Sequence, residues 1–287
     1  METKTNTEHK ASNVFTSTLQ STLLLFFIIF PVLFMDTLIH EGAHAIVGLV
    51  NGATIHMVYA HPFSMIGFVT AYEPYSPTVW GLAAGHVATI LISLPLFIFL
   101  WRRRSLAILP FVMWFPWTAS QAFSTIISLI QGTEDFNHVI DMTGWPAWPF
   151  FTIFSILAFV GMVLFVSCFP LIGLELKDKR TFFVILGAFL LYSLVSLIVA
   201  YLFVPGSRAD VQLHMGEQII SSAIYGVYGG LVMGALFILI YFTLYPIIER
   251  KFPAYLRTEK KNLVWRDLLI PGILSVISIV VGILLIR

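Results

Sequence analysis

The sequence carries very little charge for its length. Only 11% of its 287 residues are Asp, Glu, Lys or Arg, while 58% are hydrophobic. Soluble globular proteins have about 25% charged residues, so this chain lacks the groups that would solvate a folded surface. The composition excludes a soluble enzyme and a disordered chain. The net charge of +1 gives no reason to expect a nucleic-acid partner.

Cysteine and linker sequences are also nearly absent. Cys168 is the only cysteine, so no disulfide can form within the chain. Cysteine usage therefore does not indicate a redox compartment. No glycine- or serine-rich stretch separates one part of the chain from another.

Long apolar runs take up most of the sequence instead. Each is close to or above the length of about 20 residues that crosses a bilayer core. There are seven, over residues 23–50, 80–101, 106–130, 149–174, 181–204, 219–245 and 268–286. We therefore expect an all-α polytopic membrane protein with about seven transmembrane helices.

The segment after the first run has a different pattern. Residues 54–60 and 65–72 are rich in β-branched and aromatic side chains and are separated by His61-Pro62. Such paired short stretches predict a short β-hairpin.

The basic residues indicate the orientation of the chain. Lys and Arg accumulate in cytoplasmic loops. With seven spans, fourteen of the sixteen basic residues fall on one side, and only Arg208 and Arg287 fall on the other. We expect an integral multi-pass protein of the cell membrane, with residues 1–22 as an N-terminal cytoplasmic tail and a non-cytoplasmic C-terminus.

The sixth run contains a ridge of small residues, Gly226, Gly230 and Gly234. Glycines four residues apart let a second helix approach closely. The ridge predicts packing within the chain or, alternatively, a seam between copies in a homo-oligomer.

Asp36 and Glu41 are the only acidic residues within the seven runs, and they stand beside two histidines in the first run. Ionisable groups at membrane depth cost a few kcal/mol and usually mark a function. His40 and His44 lie one helical turn apart, so both imidazoles can bind one Zn²⁺. Glu41 lies close to that metal without binding it, as a general base for the attacking water. The alternative is a pair of buried histidines bound by neighbouring groups.

Asp36 shares the helix stripe of both histidines but lies too far along the axis to bind the same ion. One role is to accept the second ring N–H of His40 and so fix its tautomer. The other is a hydrogen bond to a neighbouring helix.

Two histidines leave the metal short of a third protein ligand. Residues 132–146 form an acidic segment on the same predicted membrane side as the end of the first run. Asp135 is the first choice for the ligand, and Glu134, His138 and Asp141 remain alternatives.

An H-E-x-x-H motif within an apolar run resembles the site-2 protease family of intramembrane zinc metalloproteases. The resemblance covers residues 23–146 and includes the predicted hairpin, with which family substrates can pair, and Ala84-Gly85-His86, which is similar to the family's Ala-Gly-Pro-type turn. It implies an aspartate as third zinc ligand, which maps to Asp135. The chain departs from the family at His86, where proline is usual, and in having no Asn-Pro-x-x-Asp-Gly sequence around Asp135.

These features predict a membrane-embedded zinc metalloprotease that cuts a membrane-protein or peptide substrate in or beside the lipid bilayer. Residues 23–148 would form its core, and residues 149–287 would add four further spans. A divalent-metal transporter or sensor with the same ligands is one alternative. A catalytically inactive membrane scaffold of the same fold is another.

Overall fold

The computed structural model describes residues 2–60, 67–72, 78–101, 103, 105–132, 135–174, 180–203 and 262–286, together with isolated positions between 235 and 250. Within this part, five helical segments are long and apolar enough to cross a membrane. They are Val14–Val50, Val79–Leu100, Leu106–Gln131, Trp148–Ile172 and Trp265–Leu284. This is the architecture of an all-α membrane protein. The predicted span at 219–245 lies almost entirely outside the described residues, as do Gly226, Gly230 and Gly234, so the total of seven stays a prediction.

The first helix, α1, spans Glu2–Val50 and is longer than the predicted span. The sequence before Pro31 contains no glycine or proline that would end a helix. The hydroxyl side chains in this part find acceptors on the helix itself, as Thr18 does by donating to the Val14 carbonyl at 2.8 Å. The described part of the predicted tail therefore continues the helix.

A pair of antiparallel strands follows α1. Gly52, with φ of 84°, turns the chain out of the helix. Strand β1, Thr54–Ala60, then pairs with β2, Gly67–Tyr72, in a register that is irregular between Ile55 and Met57. Residues 61–66, which connect the strands, lie outside the described residues.

Six further helices are described. They are α2 at Val79–Leu100, α3 at Leu109–Gln131, α4 at Asp135–Thr143, α5 at Trp148–Ser167, α6 at Arg180–Phe203 and α7 at Leu269–Ile286. Short 3-10 turns lie before α3, after α5 and before α7, at Leu106–Ile108, Phe169–Ile172 and Trp265–Leu268. Together with the adjoining 3-10 turns, five of these helices coincide with predicted apolar runs within a few residues, and a sixth run lies inside α1.

Helix α1 is the centre of the described part. It packs against α2, α3, α6 and α7, and its C-terminal end contacts β1. The buried side chains form a continuous apolar core that includes Phe30 of α1, Trp117 of α3 and Phe165 of α5. A helix packed on so many sides can carry polar groups that lipid would not tolerate.

Helix α4 is held at the end of the bundle by contacts with the end of α3 and with α2. Gly132, with φ of 74°, ends α3, and the Asn137 side chain donates to the Leu129 carbonyl at 3.0 Å. Phe136 and Val139 are buried, and α4 packs against α2. These contacts fix the first residue of α4, Asp135, over the end of α1.

Candidate metal centre

His40 and His44 of α1 converge with Asp135 of α4. Their Nε2 atoms lie 3.0 Å apart, and Asp135 Oδ2 lies 3.3 Å from His44 Nε2 and 3.7 Å from His40 Nε2. In the described ranges, this is the one group of three His, Cys, Asp or Glu side chains arranged to hold a metal ion. The structure therefore brings together the two predicted histidines and the first-choice third residue.

The spacing of these atoms fits zinc. Ligand atoms around a tetrahedral Zn²⁺, with bonds of about 2.0–2.1 Å, lie about 3.3 Å from one another. The three distances in the cluster, 3.0, 3.3 and 3.7 Å, scatter around that value. Two imidazoles and one carboxylate leave a fourth position of the tetrahedron for water or substrate, as in catalytic zinc sites.

A backbone carbonyl of α2 sets the tautomer of His44. His44 Nδ1 donates to the Gly81 carbonyl at 2.6 Å. With the proton on Nδ1, the Nε2 lone pair is free to bind a metal. Gly81 is in the first turn of α2, so the N-terminal end of α2 orients this ligand.

Two consecutive residues of α2 hold the other histidine. Gly85 packs so closely on the His40 ring that a Cβ atom there would lie 2.6 Å from three ring atoms. The His86 ring stands perpendicular to that of His40, with centroids 4.7 Å apart, and also contacts Phe136 and Phe154. Sequence reasoning noted His86 only as a departure from a family pattern and assigned no role to Gly85.

Glu41 is buried beside the cluster, with 8% of its surface exposed. It follows His40 directly in α1, so its side chain leaves the helix about 100° from the stripe that carries both histidines. Its carboxyl group does not belong to the converging group of ligand atoms. Position and burial suit a group that handles protons next to a metal without binding it.

Asp135 carries a negative charge in this setting. Burial acts to raise the pKa of its carboxyl group, but the adjacent His40 and His44 imidazoles outweigh burial and hold that pKa well below its ordinary value. Metal ligands must be deprotonated, and Asp135 meets that requirement at neutral pH.

The other predicted residues lie apart from the metal cluster. Asp36 Oδ1 accepts hydrogen bonds from Trp114 Nε1 at 3.0 Å and Thr118 Oγ1 at 2.5 Å, both on α3. Of its two predicted roles, these contacts match the hydrogen bond to a neighbouring helix. His138 and Asp141 are exposed on α4 and lie outside the converging group. Glu134 lies outside the described residues.

Comparison of the chain with protein-family models, with curated proteins and with solved structures found no match.

Proposed function

We propose that this protein is a membrane-embedded zinc metalloprotease that hydrolyses a peptide bond of a membrane-associated substrate. The observation that carries the proposal is the spacing of His40 Nε2, His44 Nε2 and Asp135 Oδ2, which is that of three zinc ligands with an open fourth position. Glu41 supplies the carboxyl group that peptide hydrolysis needs beside those ligands.

Bound Zn²⁺ would lower the pKa of water and polarise a peptide carbonyl. The chain's own residues provide the rest. Gly81 and Gly85 hold the two imidazoles in place. Glu41 takes a proton from the attacking water and then passes it to the departing amine. The bundle around α1 keeps lipid away from these polar groups.

A divalent-metal transporter or sensor is the main alternative for the same ligands. Transport sites usually lie near the bilayer midplane between discontinuous helices. Here the ligands come from one end of α1 and from the start of α4, and His44 is bound by the first turn of α2. Metal transit also needs no general base such as Glu41. Both observations favour hydrolysis.

Replacing Glu41 with Gln separates the two functions. The full chain would be reconstituted with tagged single-span polypeptides as substrates, and cleavage and bound zinc would be measured together. We expect Glu41→Gln to lose cleavage by at least about 100-fold, the lower end of a general base's contribution, while zinc binding persists. Cleavage that survives Glu41→Gln would refute the proposal. Movement of zinc across the membrane that survives Glu41→Gln would refute it as well.

The third ligand is tested by a matched pair of variants on α4. Asp135 is part of the cluster, whereas His138, one turn further along the same short helix, is exposed. We expect Asp135→Ala to lose bound zinc and His138→Ala to keep it, measured by atomic absorption on purified protein. Equal zinc content in the two variants would show that Asp135 is not a ligand.

The remaining expectations belong to the same proposal. The protein would reside in the cell membrane, with a cytoplasmic N-terminus and a non-cytoplasmic C-terminus. Its seven spans would include residues 219–245. Any homo-oligomer of the chain would form through the Gly226, Gly230 and Gly234 ridge.

A further inference from the structure

Three exposed tryptophans lie at the end of the bundle that holds the metal cluster. Trp80 in the first turn of α2 is 78% exposed, and Trp145 and Trp148, before and at the start of α5, are 55% and 69% exposed. We call these three residues the site-end tryptophans. Tryptophan is enriched where a protein surface meets the lipid headgroups, because its ring is apolar and its N–H needs a polar partner.

The opposite end of the bundle carries tryptophan together with positive charge. Trp101 and Arg103 follow the last turn of α2, and Arg180 begins α6, where it donates to the Ser17 hydroxyl of α1 at 2.5 Å. Trp265, before α7, is exposed. Basic residues of this kind mark the cytoplasmic headgroup zone.

The length of α2 matches the distance between these two zones. Its 22 residues extend over about 33 Å, close to the ~30 Å thickness of a bilayer's hydrocarbon core. Trp80 and Trp101 therefore stand near the two boundaries of the core, and the middle of α2, around Leu91, lies near the bilayer midplane.

The metal cluster lies near one of these two boundaries of the hydrocarbon core. His44 binds the carbonyl of Gly81, and His40 packs on Gly85, so both ligands lie within about 8 Å of Trp80 along the α2 axis. Helix α1 gives the same depth: His44 is about 40 Å from Ser17 along the helix axis, which is close to the full bilayer thickness with its headgroups.

We propose that the centre works in the headgroup zone of the membrane face opposite Arg103 and Arg180, and that its substrate is a juxtamembrane peptide segment on that non-cytoplasmic side. This inference rests on the proposed proteolytic function and adds where the substrate is cut. In the hydrocarbon core, backbone groups are held in intrahelical hydrogen bonds. At the interface, water replaces those bonds, so a substrate chain can reach the zinc ligands in extended form without unwinding a buried helix.

Depth is measured first, without reference to activity. Cys168 is the only cysteine and is buried, so Cys168→Ser gives a background for single-cysteine variants. Nitroxide labels at Ile46, Leu91 and Ile98, all exposed, would be compared by their accessibility to oxygen and to a water-soluble nickel complex in liposomes. We expect Ile46, near the cluster, to match Ile98 at the other boundary, and Leu91 to be deepest. A label at Ile46 as deep as that at Leu91 would overturn the proposal.

Cleavage position is measured second. One cleavable sequence would be placed at the centre of a single-span polypeptide, just outside it on the non-cytoplasmic side, or just outside it on the cytoplasmic side. We expect the non-cytoplasmic polypeptide to be cut at least about 100-fold faster than the other two, because a misplaced bond loses the gain from proximity. Faster cutting at either of the other positions would overturn the proposal. Cleavage of none would refute proteolysis, while the label depths would still locate the cluster.

Discussion

At the scale of single residues, Gly85 determines whether His40 can take its place in the cluster. Its hydrogen leaves room for the imidazole, and a methyl group would lie 2.6 Å from three ring atoms. Real Cβ contacts do not become that short, so Gly85→Ala must displace the His40 ring from its position in the cluster. We expect zinc affinity to fall about 10- to 100-fold, as it does when groups that orient metal ligands are lost.

Zinc titration of purified protein checks this expectation, and Gly42→Ala is the matched control. Gly42 lies within the H-E-x-x-H motif, but a Cβ there would meet no atom within 4 Å. Alanine at this helical position should leave zinc affinity unchanged and add about 0.5–1 kcal/mol of stability. Equal zinc affinity in Gly85→Ala and Gly42→Ala would show that His40 does not depend on the space at Gly85.

Single residues also show what the sequence could and could not predict about the site. His40, Glu41 and His44 were predictable because their spacing depends only on the period of one helix. The acidic segment was predictable as the source of a third ligand because the basic residues place it at the same end of α1, and Asp135 was the first of four candidates within it. Gly85 and His86 were not assigned a site role, since their contacts with His40 arise only when α2 packs against α1.

At the scale of helices, Gly161 sets the separation of α3 and α5. A Cβ at this position would lie 2.2 Å from the Ser120 backbone nitrogen and 2.5 Å from the Ala119 carbonyl carbon. Backbone atoms cannot rotate aside, so Gly161→Ala must move the two helices apart. We expect a loss of about 1–3 kcal/mol in the free energy of unfolding, the usual cost of overpacking.

Thermal unfolding in detergent, followed by circular dichroism, measures that loss. Gly272→Ala on α7 is the control, because the nearest atoms to its Cβ would be in the Phe27 ring at 3.7 Å. Gly161→Ala should also weaken zinc binding, since α5 carries Phe150 and Phe154, which pack on Phe136 next to Asp135. A midpoint for Gly161→Ala as high as that of Gly272→Ala would contradict the close approach of α3 and α5.

Helix bounds were predictable to the extent that hydropathy defines them. Helices α2 and α6 begin and end within one residue of the predicted runs. Hydropathy fails where a helix continues into polar sequence, as α1 does before residue 23. Polar residues there become part of the bundle, as Ser17 does through Arg180. Hydropathy also fails to define α4, because this helix is short and amphipathic. The sequence predicted it only as an acidic segment.

At the scale of the whole molecule, a bound metal would connect two distant parts of the chain. The ligands lie at the C-terminal end of α1 and at the first residue of α4, and each of these helices packs on α2. In the absence of a metal, the contacts around Phe136, Val139 and Asn137 hold α4 at the end of the bundle, together with the approach of Asp135 to His40 and His44. Zinc binding should therefore stabilise the arrangement of α1, α2 and α4 as one unit.

We expect zinc to raise the unfolding midpoint of the wild-type protein by mass action, with a gain of about 2.7 kcal/mol at a free zinc concentration of 100 times Kd. The gain should be absent in Asp135→Ala and His44→Ala, because each lacks one ligand of the cluster. It should persist in His138→Ala, whose side chain is exposed, and in Glu41→Gln, whose carboxyl group is not a ligand. Thermal melts of the five proteins, with zinc and with a chelator, measure this. A zinc-dependent rise in Asp135→Ala equal to that of the wild type would show that the metal does not connect α4 to α1.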